Sequence, residues 1–126
     1  MGPENRFIAR VHKHLPQNIY REKMHNAYRG GTPDVWYSGS RGDLWVEYKW
    51  IARIPKRGTI VPKLSPLQLD WLTKRKAQGR NVLVIVGSPK GALSLSLVKS
   101  WTKYQYIGER LFTDAELAGN IARRCS

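Results

Sequence analysis

The chain has 126 residues, 41% of them hydrophobic, and carries 22 Lys and Arg against 9 Asp and Glu, a formal net charge of +13. That length supports one core, hence one domain over 1–126; the apolar content excludes a disordered basic tail, and no apolar run is long enough to span a bilayer. So basic a chain attracts polyanions, and because the charge is spread along it instead of gathered on one amphipathic helix, the expected partner is nucleic acid and not a membrane.

Residues 4–15 place Phe7, Ile8, Val11 and Leu15 at helical spacing, and Pro16 ends the helix. Residues 18–24 read as a short strand or irregular link, and Gly30-Gly31 and Pro33 break the chain just before Asp34. Residues 34–37 and 43–51 read as two strands of a hairpin joined through Ser38-Gly-Ser-Arg-Gly42. Residues 52–63 form a basic loop or small flap. A helix then starts at Ser65-Pro66-Leu-Gln68, with Ser65 as N-cap, Pro66 at the first helical position, Gln68 closing a capping box, and Leu64 and Leu69 placed for a hydrophobic staple. Gly79 suits its left-handed end. Residues 81–86 are an apolar buried strand, 92–97 a strand alternating with serine, and Thr113-Asp-Ala-Glu116 opens a final helix that fades at Arg123-Arg124. Helices interspersed with a mixed central sheet give an α/β fold.

Asp34 and Glu47 are two of the chain's few carboxylates, and a hairpin centred between Ser40 and Arg41 sets them opposite one another. Directly opposed residues have Cβ atoms about 4.5–5.5 Å apart, where two carboxylates repel unless a cation sits between them. Mg²⁺ is commonly held by one or two carboxylates together with water and substrate phosphate. Alternation puts Lys49 on the same face as Glu47, beside that cation, where its charge can steer a water or offset charge on phosphate. A Glu-x-Lys pair alone is common on solvent-facing strands; the opposed Asp34 and the basic chain turn the reading toward a metal-dependent nuclease.

The run Gly31-Thr-Pro-Asp34, then Val46-Glu47-Tyr-Lys49, then Leu64-Ser-Pro-Leu-Gln68-Leu-Asp-Trp71 and Gly79 resembles the PD-(D/E)xK nucleases, and within them the VRR-NUC branch, over roughly residues 4–87. The resemblance implies a restriction-endonuclease-like core in αβββαβ order, close to the order read from the chain. It implies Asp34 and Glu47 as metal ligands, the backbone carbonyl of Tyr48 as a further ligand, Lys49 as the catalytic lysine and Mg²⁺ or Mn²⁺ as the metal, with no small-molecule cofactor. The branch contains structure-selective nucleases, including stand-alone phage forms that resolve branched DNA as dimers, so a homodimer acting on branched or duplex DNA is expected. A cytoplasmic location is expected too, the host's if the chain is phage-encoded; the single Cys125 and the lack of a signal-peptide apolar stretch at the N-terminus fit it. The chain departs from the branch in inserting about a dozen residues, 52–63, before the Leu-Ser-x-x-Gln helix.

Several residues carry two readings. Glu4 falls on the inward stripe with Ile8, Val11 and Leu15, and the family often completes its metal site from the first helix; equally, a carboxylate in a first turn interacts favourably with the helix dipole. Gln68 matches the family's glutamine beside the metal and is also the capping-box residue. Arg53, Lys56, Arg57 and Lys63 form either a phosphate-gripping flap or a solvated loop. Trp101, Lys103, Tyr104 and Tyr106 fit core packing better than a site. His12 and His14, two apart on a helix, cannot share a metal and read as surface residues; His25 has no partner in the sequence. The rival functions are a sequence-specific endonuclease of restriction or homing type, with residues 52–63 reading bases, and a non-catalytic nucleic-acid-binding protein.

Overall fold

The computed structural model describes residues 1–24, 30–107 and 111–126, apart from the side chain of Tyr106. Its elements are α1 (Pro3–His12), β1 (Tyr20–Lys23), β2 (Val35–Gly39), β3 (Gly42–Trp50), β4 (Thr59–Ile60), α2 (Pro66–Ala77), β5 (Val82–Ser88), β6 (Gly91–Leu95), α3 (Val98–Thr102), β7 (Gln105–Tyr106) and α4 (Asp114–Cys125). Five strands make one mixed sheet in the order β1-β2-β3-β5-β6, while β4 and β7 pair separately. The β3–β5 pair is parallel and the others are antiparallel. A parallel pair needs a crossover, which α2 supplies.

Alternation along the strands sorts side chains onto two faces. Leu44, Val46 and Tyr48 of β3, with Leu83 and Ile85 of β5, pack against Phe7, Ile8 and Val11 of α1 and Leu117 and Ile121 of α4. On the opposite face Val82, Val84 and Val86 of β5 pack with Leu72 of α2 and Trp101 of α3. Because β5 is covered on both faces, all seven of its residues are buried, which is why it reads as a continuous apolar run. Trp45, Glu47 and Lys49 belong to the α2 face.

The hairpin keeps the expected register but has a tighter turn. Ser38 pairs with Asp43 and Gly39 with Gly42, leaving only Ser40-Arg41 at the tip. Both capping boxes form, at Ser65/Gln68 and Thr113/Glu116. The first helix is shorter than its apolar spacing implied: it ends at His12, although Leu15 is still buried, carried inward by the turn that follows. The link at 18–24 contains an edge strand, exposed along its whole length. The insertion 52–63 contains β4, tied to the distant β7 by Thr59↔Tyr106 and Ile60↔Gln105, so the loop is pinned as a flap. No helix among the described residues is long and apolar enough to cross a membrane.

The α1 packing also explains a glycine. A Cβ on Gly87 of β5 would lie 2.6 Å from the ring of Phe7. Gly87→Ala is therefore expected to destabilise the fold by about 1–3 kcal/mol, the range for overpacking a close-packed core. Urea unfolding reads this, and adding Phe7→Leu should recover part of the loss.

Candidate active site at the end of the central strands

The site begins where the β2–β3 ladder stops. Even-numbered residues of β3 direct their main-chain groups toward β2, because Trp45 and Ile51 donate to the β5 side, at Asn81 and Gly87. Continuing the register past Val35↔Val46 brings Pro33 opposite Tyr48. Proline has no N–H for the Tyr48 carbonyl, so the ladder ends there. The Tyr48 N–H donates instead to the Asp34 carboxylate, at 2.9 Å. The Pro33-Asp34 dipeptide thus leaves the Tyr48 carbonyl without its strand partner and turns a carboxylate back over the strand end.

The segment that delivers Asp34 is held against the start of α2. Gly31 has φ +101, and a Cβ there would stand 2.5 Å from the Leu67 carbonyl oxygen. Only glycine permits both the conformation and the approach.

On the α2 face, Glu47 is buried and Lys49 half-buried. Lys49 Nζ lies 3.5 Å from Glu47 Oε2 and donates to Gln68 Oε1 at 3.0 Å. Gln68 Nε2 in turn donates to Glu47 Oε2 at 3.2 Å. The same Gln68 Oε1 accepts from the Ser65 N–H at 2.9 Å, closing the capping box. The capping-box reading of Gln68 holds, and the same amide also braces the Glu47–Lys49 pair.

The electrostatics of the pair are unbalanced. Glu47 has its pKa pushed up from 4.5 to about 8, first by burial and next by the charge of Asp34, against the pull of Lys49. Its Oε1 is buried and no N–H or hydroxyl donor reaches it; the hydrogen bond between Glu47 and the Asp34 carboxyl exists only while one of the two carboxyls keeps a proton, and it raises the Glu47 pKa further. A buried, unanswered carboxylate oxygen beside a second carboxylate is a donor set that suits a divalent cation with oxygen ligands. Among the described residues no three Asp, Glu, His or Cys side chains gather as a metal-binding group, so the acidic donors at this point are two. Glu4 stands at the same corner: burial raises its pKa, Asp34 raises it further, and Lys49 and Lys23 lower it.

The other predicted residues separate. Arg53, Lys56, Arg57 and Lys63 are all exposed on the flap between β3 and α2. Trp101 belongs to the core, its Nε1 donating to the Leu95 carbonyl at 2.9 Å, whereas Tyr104 is 73% exposed. His14 is exposed, but His12 is not the surface residue its spacing implied. It is half-buried, lies 2.7 Å from the Tyr37 hydroxyl, and is pushed down to a pKa of about 4, chiefly by burial and then by Arg21 and Lys23. Tyr37 continues the chain to the Tyr48 hydroxyl at 2.6 Å. His25 lies outside the described residues.

Two features escaped the sequence reading. An apolar cleft of about 450 Å³ opens between the flap and the strand ends, with Lys49 at one side and Tyr104 and Lys63 among its walls. A second cleft, of about 570 Å³, lies at the opposite end of β3 and gathers Arg41, Arg80 and Arg124 around Asp43. Their positions in the chain carry no common signal; the sheet and the end of α4 bring them together.

No family model matches the chain, and no curated protein matches it in sequence. Among solved structures it is similar to Hjc of Archaeoglobus fulgidus, a Holliday junction resolvase from an archaeal hyperthermophile, with a TM-score of 0.60 and 16% identity over 92% of this chain and 97% of that one. The likeness is one of fold: a mixed five-stranded sheet flanked by helices, restriction-endonuclease-like as the motif implied.

Two measurements test the local geometry. The folded chain holds the Glu47 proton more tightly than the unfolded chain, so this group contributes stability below pH 4.5 that is lost as pH rises toward 8. Glu47→Gln cannot ionise; in metal-free buffer it is expected to melt above the native protein at pH 8, with the gap narrowing toward pH 5. A gap independent of pH would contradict the assignment. Gly31→Ala is expected to cost more than about 1 kcal/mol in urea unfolding, because alanine meets both an unfavourable φ and the Leu67 carbonyl.

Proposed function

We propose that the chain is a metal-dependent DNA endonuclease of the PD-(D/E)xK type, acting on branched DNA. The observation that carries this reading is the buried Oε1 of Glu47, which no N–H or hydroxyl donor reaches, set beside Asp34 and Lys49 at the open end of the β2–β3 ladder. Assignment to the VRR-NUC branch rests on the motif residues alone.

Asp34, Glu47 and the Tyr48 carbonyl would hold Mg²⁺ or Mn²⁺, with Glu4 reaching the ion through water. Bound there, the cation lowers the pKa of a water and offsets charge on the scissile phosphate. Lys49 holds a positive charge toward the phosphate, where charge develops as the bond breaks. Gln68 positions Lys49, since its carbonyl accepts a hydrogen bond from the ammonium while its NH₂ donates to Glu47. Arg53, Lys56, Arg57 and Lys63 provide backbone contacts along the flap, and the Arg41–Arg80–Arg124 cleft offers a second anionic contact at the far end of the sheet. A homodimer is the expected working form, because one such site cuts one strand and a branched substrate requires two cuts.

A labelled four-way junction and a matched linear duplex test the reading. Junction cleavage is expected with Mg²⁺ or Mn²⁺, none with EDTA, and none by Glu47→Gln. Lys49→Ala should lower the rate by about 10²–10³-fold, the usual loss for one electrostatic stabiliser. Mg²⁺ should raise the melting temperature of the native protein but not of Glu47→Gln. Cutting that persists in EDTA would sink the mechanism. Equal cutting of both substrates would sink junction selectivity.

A further inference from the structure

The apolar cleft beside Lys49 is a feature that the nuclease chemistry proposed above leaves unassigned. One side is Ile51, just past β3, and Val86 of β5; the roof is the flap, through Pro55 and Val61; Tyr104 and Lys63 complete the lining. At about 450 Å³ it is a built recess, because β4 and β7 hold the roof in place and two prolines, Pro55 and Pro62, stiffen it. Tyr104 is 73% exposed and packs into neither core, so its ring is accessible to a ligand.

A stacked duplex presents phosphates outward and keeps its bases inside, so beside a scissile phosphate it offers nothing apolar to such a recess. An unpaired base does. Its faces suit apolar walls and an aromatic ring, and stacking of this kind is indifferent to sequence. The two lysines of the cleft, Lys49 and Lys63, complement the phosphates on either side of a single nucleotide.

We propose that the cleft receives one unstacked nucleotide of the substrate strand, next to the phosphate that is cut. The enzyme then selects DNA by the presence of an unpaired or easily unstacked base, at a crossover, flap or bulge, and the recess is the element that senses it. This rests on the nuclease reading above and specifies its substrate. The cost of taking a base out of the stack is least where it is already unpaired, and that difference is the source of selectivity.

The test uses three DNA duplexes: fully paired, carrying one bulged nucleotide, and carrying the same bulge without its base. With Mg²⁺, kcat/KM is expected to be at least about tenfold higher on the bulge than on the paired duplex, and the abasic bulge should lose most of that advantage. Tyr104→Ala should reduce the bulge-over-duplex ratio about tenfold, while Tyr104→Phe, which keeps the ring, should retain it. Separately, 2-aminopurine at the bulged position is followed in EDTA, where nothing is cut; its fluorescence should fall on binding the native protein and fall less with Tyr104→Ala. Equal ratios for the native protein and Tyr104→Ala, or an unquenched probe, overturn the cleft's role while leaving the nuclease in place. Quenching without cleavage of any substrate upholds the cleft and overturns the nuclease instead.

Discussion

A carboxylate buried in the middle of an apolar sheet is the constraint around which this molecule is arranged. Glu47 is on β3, paired with Val84 of the parallel strand β5, and faces α2. Removing such a group from water is expensive, and the protein answers only one of its oxygens, with Lys49 and Gln68. Everything nearby conforms to the other. Pro33 ends a ladder that would otherwise cover the spot, Asp34 is folded back over it, and Gly31 lets the connecting segment approach α2 closely enough for that fold to occur. Local sacrifices in hydrogen bonding and backbone freedom thus converge on one point, as functional sites commonly do.

The opposite face of the sheet pays no such penalty. There α1 and α4 seal a core of ordinary apolar side chains, and the polar groups that enter it satisfy one another in the His12–Tyr37–Tyr48 chain. Tyr48 belongs to both regions: its ring is anchored in this core while its main chain borders the carboxylates. The site is therefore fixed from below by packing and from above by the start of α2, which suits chemistry requiring preset positions.

What could be read from the chain was what depends on near neighbours. Both capping boxes are four-residue patterns, and both formed. The hairpin register followed from a loop centred between Ser40 and Arg41, a centre that the tighter turn keeps, so Asp34 and Glu47 were legible as neighbours. The β4–β7 pairing was not, because two-residue strands far apart in sequence leave no periodic trace. The short α3 hid for a similar reason: its defining residue, Trp101, looked like part of an aromatic cluster. His12 was misjudged because spacing against His14 says nothing about a tyrosine on another strand. The arginine cleft assembles from a hairpin tip, the loop before β5 and the end of α4, and tertiary structure alone gathers them.

Gln68 ties two kinds of stability together. Its carbonyl closes the first turn of α2 and also grips Lys49. Helix ends are where ordered structure opens first, well before the rest of a domain unfolds. A fray of that one turn would free Lys49 and remove the Gln68 brace from Glu47 together, so the side-chain arrangement and the helix start are coupled. The order of the Glu47–Lys49 corner is thereby tied to one helical turn, and warming should loosen that corner before the sheet beneath it gives way.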